Sequence, residues 1–181
     1  GHGPQTTKDG KFTVEFVEEP RVIDVGGVQA RIVLDRVDRL ADGTFAVIDY
    51  KTGARARPAA WMGERPELPQ LPLYVRAIGQ EQVSAVAFGV VCTGSTEYRG
   101  IARDGEVFPQ LKPFDAANAP FKDYANWGDL LQAWNRRLES LAREHAQGDA
   151  RLAPNPARAC RYCHLRGVCR SAQALLEPEE G

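Results

Sequence analysis

The sequence predicts an α/β protein, in which a mixed sheet is flanked by helices. Three observations predict it: a segment of period two near the start, an apolar run at residues 83–92, and helical spacing of apolar residues within 121–148. Strict alternation is typical of a half-buried strand, and a continuous apolar run is typical of a strand covered on both faces. The 181 residues, 43% hydrophobic and 26% charged, suffice for one domain with an ordinary core.

The first third of the chain predicts strands joined by tight turns. "KFTVEFVEEP" alternates apolar and polar residues, a turn is predicted at Gly26 and Gly27, and a long strand follows it. "ADG" at 41–43 is a turn signal, and "TFAVIDY" is the returning strand. Residues 54–66 are rich in Ala, Arg and Pro and predict an irregular, mobile loop. Trp61 in that loop is either a base-stacking side chain or a hydrophobic anchor.

The rest of the chain predicts two helices separated by strands. The first helix begins at about Pro69, with Pro72 in its first turn and an apolar face formed by Leu73, Ala77 and Ile78. The strand at 83–92 follows, and "STEYRGIA" is predicted to pair beside it. The longest helix is predicted over 121–148, where Gly148 ends it. Its apolar positions are Leu130, Leu131, Trp134, Leu138 and Leu141.

Charge and hydropathy restrict the functional classes. A net charge of −1 gives no overall attraction for nucleic acid or anionic lipid, so that any such affinity must be local. No apolar run approaches the roughly 20 residues of a membrane span, and no signal peptide opens the chain. We therefore expect a cytoplasmic protein without a membrane partner. Residues 1–10 are predicted to be a tag or a disordered start, 11–150 a folded core, and 151–181 a cysteine-rich segment.

Acidic residues interrupt the predicted hairpin in "RIVLDRVDRLADGTFAVIDYKTG", residues 31–53. One antiparallel register sets Asp35 opposite Asp49, and Lys51 shares the face of Asp49 because the two are two residues apart. Paired carboxylates suit Mg²⁺ or Mn²⁺, and a lysine beside them can orient water or contact a phosphate. The pattern predicts metal-assisted hydrolysis of phosphodiesters. The alternative interpretation is a solvated hairpin face with a surface ion pair.

Three cysteines, Cys160, Cys163 and Cys169, are spaced C-x2-C-x5-C. They are too closely spaced to pair as disulfides, and without a secretion signal they indicate a bound metal in a reducing cytosol. A [4Fe–4S] cluster needs four thiolates, and Cys92 is either the fourth or a core cysteine. With His164 the same three thiolates could bind zinc instead.

These segments resemble the PD-(D/E)XK nuclease superfamily. "LDRVDRL" followed by "VIDYKTG" is similar to the core motif of its RecB-like branch, which includes AddB, and "PQLPLY" is similar to that branch's Q-x-x-x-Y motif. The cysteine segment resembles the carboxy-terminal ligands of the iron–sulfur cluster in AddB-like nucleases. The resemblance implies a restriction-endonuclease-like fold and a Mg²⁺-dependent deoxyribonuclease of DNA repair or recombination. It also implies a helicase domain or subunit in the parent protein.

The resemblance assigns a role to each residue of these motifs. It makes Asp35 and Asp49 metal ligands, with the carbonyl of Tyr50 as a further oxygen, and Lys51 the catalytic lysine. Gln70 and Tyr74, one helical turn apart, would face the same site and touch DNA. Cations next to the site would contact phosphates, namely Arg55 and Arg57. Asp38 and Arg36 have a weaker claim, and Asp38 either supports the metal ligands or forms a plain salt bridge.

The sequence departs from the family pattern at its start. The family begins with a helix that carries a metal-ligating His or Glu and is preceded by the first cluster cysteine, whereas this chain starts at the following strand. His2 lies in the predicted tag, and Glu15, Glu18 and Glu19 are expected elsewhere on the sheet. We therefore expect an N-terminally truncated fragment, which the missing helix could inactivate and in which the cluster is incomplete or absent. The rival predictions are an inactive DNA-binding or scaffold module of the same fold and a zinc-stapled interaction domain.

Overall fold

A computed structural model of the chain describes residues 12–52, 56–92, 95–149, 164–165 and 168. Six strands form one sheet in the order β1-β2-β3-β4-β5-β6. The sheet is mixed, because β3–β4 and β5–β6 are parallel pairs and the other neighbours are antiparallel. The predicted α/β fold class is confirmed. The elements are β1 (Phe12–Val25), β2 (Val28–Leu40), β3 (Phe45–Thr52), α1 (Gln70–Ile78), β4 (Val83–Cys92), β5 (Ser95–Ala102), β6 (Lys112–Pro113) and α2 (Trp127–Ala146).

A two-residue turn joins β1 to β2. Gly26 and Gly27 have φ of +59° and +88°, and glycine adopts such values without a Cβ clash. A side chain at Gly26 would also bring a Cβ to 2.9 Å from the carbonyl oxygen of Glu139 in α2. Arg76 of α1 donates to the carbonyl of Asp24 at 2.7 Å and to the carboxylate of Glu139 at 2.9 Å. This arginine therefore ties the hairpin to both helices.

Helix α1 lies in the crossover between the parallel strands β3 and β4. Leu71, Tyr74 and Val75 are its buried positions with Pro72, and they follow the i, i+3, i+4 spacing of one helix face. The predicted face of Leu73, Ala77 and Ile78 is confirmed in part: Ala77 and Ile78 are partly buried and pack against the main core. The fully buried positions are instead those at 71, 74 and 75.

Four residues of the loop before α1 are buried, namely Ala56, Ala60, Trp61 and Met62. Pro58–Trp61 form a single 3₁₀ turn, and Trp61 is fully buried. Its ring centroid lies 5.0 Å from that of Phe88 in β4 and 5.8 Å from that of Trp134 in α2. Offset and edge contacts of this kind add to the energy of burial. The base-stacking interpretation of Trp61 was wrong, and the alternative, a hydrophobic anchor, is confirmed.

Helix α2 is shorter than the sequence predicted. Residues 121–123 form a 3₁₀ turn, and α2 begins at Trp127 because Asn126 caps it, accepting the N–H of Asp129 at 2.9 Å. The helix ends at Ala146, and Gly148 follows with φ of +72°. Four of the predicted apolar positions are buried and Leu141 is partly buried; the four are Leu130, Leu131, Trp134 and Leu138.

Two apolar clusters cover the two faces of the sheet. The main core packs the sheet against both helices and the 3₁₀ turn at 58–61. The second, smaller core lies on the other face, where a segment around residues 107–111 covers it. Its buried members are Leu40, Ala46, Ala85, Ala87, Ala102, Phe108 and Leu111. Among the described residues, no helix is long and apolar enough to cross a membrane.

Candidate active site

The β2–β3 hairpin places two aspartates opposite each other. The backbone ladder pairs Val37 with Val47 and Arg36 with Ile48, so that the next pair in this register is Asp35 and Asp49. The ladder ends at that point. The neighbouring strand is irregular here too, since Glu18, between the pairs Val17–Arg36 and Glu19–Leu34, has φ of +50°. The two carboxylates thus lie where regular backbone pairing stops.

Asp35 is held by groups from two other elements. Its Oδ2 accepts the backbone N–H of Tyr50 in β3 at 2.9 Å, and its Oδ1 accepts the hydroxyl of Tyr74 in α1 at 3.2 Å. Both oxygens of this carboxylate are therefore oriented by donors. Such outer hydrogen bonds are what fixes a metal-ligating carboxylate in place.

Asp49 is a buried carboxylate, only 2% exposed. Lys51 Nζ lies 2.7 Å from its Oδ2, yet that oxygen has no partner with hydrogen-bond geometry. Burial raises the pKa of Asp49; Lys51 opposes the rise, and the negative charge of Asp35 adds to it. A cation between the two aspartates would relieve both the burial and the repulsion.

Helix α1 directs the hydroxyl of Tyr74 at the aspartates. Tyr74 reaches Asp35, and burial together with the charges of Asp35 and Asp49 raises the pKa of its hydroxyl, which stays a neutral donor. Gln70, one turn earlier in α1, has a buried Oε1 without a hydrogen-bond partner in the described part of the chain. The two residues are four apart and therefore lie on the same side of α1.

The oxygen atoms of the site fit a hard divalent cation. Asp49 Oδ2 is buried and lacks a partner with hydrogen-bond geometry, and Asp35 adds a second carboxylate. Magnesium accepts such oxygens and keeps several waters. Within the described ranges, no group of three or more His, Cys, Asp or Glu side chains could hold a metal ion. Water, backbone carbonyls or substrate would have to complete the coordination.

Arg36 and Asp38 form a buried pair behind these aspartates. Arg36 donates to both oxygens of Asp38, at 2.7 and 2.9 Å, and its third nitrogen donates to the hydroxyl of Tyr50 at 3.0 Å. Burial raises the pKa of Asp38 and Arg36 opposes the rise. The alternation of β2 places Arg36 and Asp38 on one face. The sequence did not indicate that the Tyr50 hydroxyl would be a partner of Arg36. Only the cross-strand register could have indicated it.

The other candidate residues are divided between the surface and the undescribed segments. Arg57 is exposed and lies 3.7 Å from Glu67. Glu15 pairs with Arg39 at 2.9 Å, away from the aspartates. His145 is exposed in the last turn of α2, and His164 is exposed in a turn. Several predictions fall outside the described residues, namely those for Arg55, Cys160, Cys163, Cys169, the tag and the side chain of Cys92.

Comparison with known proteins identifies one family. The family model described as the PD-(D/E)XK nuclease superfamily matches residues 3–170. No curated protein matches the chain. A solved structure, titled "Crystal structure of SSO0001", shares 17% identity over 84% of this chain, with a TM-score of 0.39. The chain spans 58% of the length of that structure.

Proposed function

The chain belongs to the PD-(D/E)XK nuclease superfamily, and from that membership we propose that it is a Mg²⁺-dependent deoxyribonuclease that hydrolyses phosphodiester bonds. Members of this superfamily are typically nucleases and generally use divalent metals. The observation that carries the proposal is the pairing of two opposed aspartates, Asp35 and Asp49, with an ammonium group 2.7 Å from one of them.

Each side chain of the site has a definite task in this mechanism. Asp35 and Asp49 would hold the cation, which when bound would supply stabilisation of negative charge on the phosphate and acidification of water. Tyr74 and the N–H of Tyr50 keep the Asp35 carboxylate in one orientation. Lys51 Nζ, which lies 2.7 Å from Asp49 Oδ2, would orient the attacking water and contact the scissile phosphate.

The substrate class follows from local rather than overall charge. The net charge is −1, so that binding of a nucleic acid needs cations concentrated at the site. Arg57 could serve as such a cation: its side chain is 46% exposed, and its only ion pair among the described residues, to Glu67, is long at 3.7 Å. We assign Arg57, Arg55 and the amide of Gln70 to phosphate contacts on DNA.

The finer predictions rest on the order of the motifs. The D-R-x-D, D-Y-K and Q-x-x-x-Y segments support the RecB-like, AddB-like branch, and with it a cytoplasmic role in DNA repair or recombination beside a helicase. The C-x2-C-x5-C segment supports a [4Fe–4S] cluster in the parent protein. Anaerobic purification of the chain, followed by iron and zinc analysis, distinguishes that cluster from a zinc site.

Replacement of the lysine tests the proposed activity. We expect wild-type protein to cleave single- or double-stranded DNA in Mg²⁺ or Mn²⁺ and to be inactive in EDTA. Lys51→Gln should reduce kcat by about 100-fold or more, the range of positioned acid–base and charged groups, without loss of metal affinity. The matched control is Lys122→Gln, an exposed lysine in the 3₁₀ turn before α2, and it should cleave normally.

One observation favours the rival function, an inactive DNA-binding module. The described residues supply two carboxylates to the site rather than three or more metal-ligating groups. A wild-type protein that binds DNA in a salt-dependent manner, but cleaves it in neither Mg²⁺ nor Mn²⁺, would establish this rival and refute the nuclease proposal. Equal cleavage by Lys51→Gln and the wild type would refute the assigned mechanism.

A further inference from the structure

Arg36, Asp38 and Tyr50 form a polar cluster on the face of the sheet opposite the two aspartates of the site. Asp38 is paired across the strands with Ala46 of the second core, whereas Asp49 is paired with Phe88 of the main core. Alternation along a strand makes this arrangement unavoidable, because Arg36 follows Asp35, and Tyr50 lies between Asp49 and Lys51. The side chains of the cluster contribute no atom to the proposed metal site; only the backbone of Tyr50 adjoins it.

Three hydrogen bonds donated by Arg36 hold the cluster together. Arg36 forms a bidentate pair with Asp38, whose side chain has no solvent exposure, and the fork geometry fixes direction as well as charge. The remaining nitrogen of Arg36 donates to the Tyr50 hydroxyl at 3.0 Å. The ring of Tyr50 lies against Gly89 of β4, where a Cβ would come within 2.8 Å of it. The absence of a side chain at Gly89 therefore leaves room for this ring.

The cluster acts at the point where β2 and β3 lose their backbone ladder. The last ladder pair is Arg36 with Ile48. Beyond it, Tyr50 connects the two strands twice: its hydroxyl accepts from Arg36 on one face, and its backbone N–H donates to Asp35 on the other. A displacement of Arg36 would therefore be transmitted to Asp35 through Tyr50.

We propose that the Arg36–Asp38–Tyr50 cluster is a positioning device for the metal site, which holds the Tyr50 N–H against Asp35 and so sets Asp35 relative to Asp49. This inference rests on the proposed metal-dependent function. A plain structural ion pair would contribute to the free energy of unfolding and leave metal affinity unchanged. A positioning device must change metal affinity, because a ligand that is free to rotate binds the ion less well.

Tyr50→Phe is the variant that separates these two roles. It removes the hydroxyl that accepts from Arg36 and keeps the ring against Gly89. Since the residue is 40% exposed, the variant should fold. The matched control is Tyr124→Phe: Tyr124 precedes α2, far along the chain from the site residues, and its hydroxyl also accepts from an arginine, Arg137, at 2.9 Å. Both variants lose one arginine–tyrosine hydrogen bond.

Three measurements on the full chain decide the proposal. Tyr50→Phe should weaken calorimetric Mn²⁺ binding about 10-fold, the lower end of the effect of groups that orient metal ligands. In metal-free protein, hydrogen exchange of the Tyr50 amide should accelerate, because its bond to Asp35 loses its support. Tyr124→Phe should leave both properties unchanged. The two variants should lower the melting temperature by similar amounts.

The outcomes separate this inference from the proposed function. If wild-type protein binds Mn²⁺ and Tyr50→Phe matches it in both affinity and amide exchange, the cluster is merely structural and the inference is overturned. If wild-type protein binds no Mn²⁺, the proposed function fails and the inference fails with it. Weaker Mn²⁺ binding in Tyr50→Phe, without change in Tyr124→Phe, supports the positioning role.

Discussion

Replacing Asp49 by Asn should stabilise the metal-free protein while abolishing its activity. The carboxylate is 2% exposed, and its Oδ2 meets the ammonium of Lys51 at 2.7 Å without good hydrogen-bond geometry. A buried unsatisfied polar group costs about 1–3 kcal/mol, and the charge of Lys51 compensates part of that cost. We therefore expect a gain of about 1 kcal/mol in the free energy of unfolding at pH 7. For a chain of this length that gain raises the melting temperature by about 2–4 °C.

The stability gained in Asp49→Asn should depend on pH, in a direction that follows from the raised pKa of Asp49. Burial raises the pKa of Asp49 in the folded protein above 3.8, its ordinary value, so that the folded state binds the proton more tightly than the unfolded state does. Protonated Asp49 therefore contributes stability to the wild type. This contribution is fully present below pH 3.8 and is lost as the pH rises through the folded pKa. The advantage of Asp49→Asn should accordingly be absent in acid and grow toward neutral pH.

Asp42→Asn is the control of opposite sign. Burial acts to raise the pKa of Asp42, but hydrogen bonds from Thr44 and the charge of Arg103 outweigh it and lower the pKa. The ionised form therefore stabilises the fold above the ordinary pKa, and this stability is lost as the pH falls through the lowered value. Asp42→Asn should destabilise the protein at pH 7 and converge with wild type in acid.

Bound metal should reverse the order of stability of the wild type and Asp49→Asn. A ligand that binds only the folded state at 100 times its dissociation constant adds about 2.7 kcal/mol of stability, which wild type gains and Asp49→Asn does not. Differential scanning calorimetry in EDTA and in saturating Mg²⁺ measures both states. A variant that is less stable than wild type in EDTA would refute the reasoning, because Asp49 would then be a structural ion-pair partner of Lys51.

Two further substitutions test the contacts around the site. Tyr74→Phe removes the hydroxyl 3.2 Å from Asp35 and should weaken Mn²⁺ binding severalfold in calorimetric titration with little change in melting temperature; a large loss of stability with unchanged metal affinity would contradict this role. Trp61→Ala deletes a fully buried ring and should cost about 3–5 kcal/mol in urea unfolding. A loss of DNA affinity in Trp61→Ala with unchanged stability would instead restore the base-stacking interpretation.

The sequence indicated the site's register but not its surroundings. The turn signal at 41–43 allows the register that sets Asp35 opposite Asp49, and the ladder of the structure has that register. The fully buried face of α1 was not predicted, because its phase depends on how the helix packs on the sheet. Trp61 was ambiguous for another reason. A tryptophan among Ala, Arg and Pro has no periodic pattern, and its burial depends on Phe88 and Trp134, which lie far along the chain.

The period of a strand explains why this hairpin is polar on both faces. A carboxylate pair on one face forces its sequence neighbours, Arg36 and Tyr50, onto the other, where the second core would favour apolar side chains. The bidentate pair with Asp38 satisfies Arg36 there, and the Tyr50 hydroxyl accepts its last donor. The motif D-R-x-D followed by D-Y-K therefore forms two structures, the aspartate pair on one face of the sheet and the Arg36–Asp38 ion pair on the other. Substitutions in the second should alter the geometry of the first before they unfold the protein.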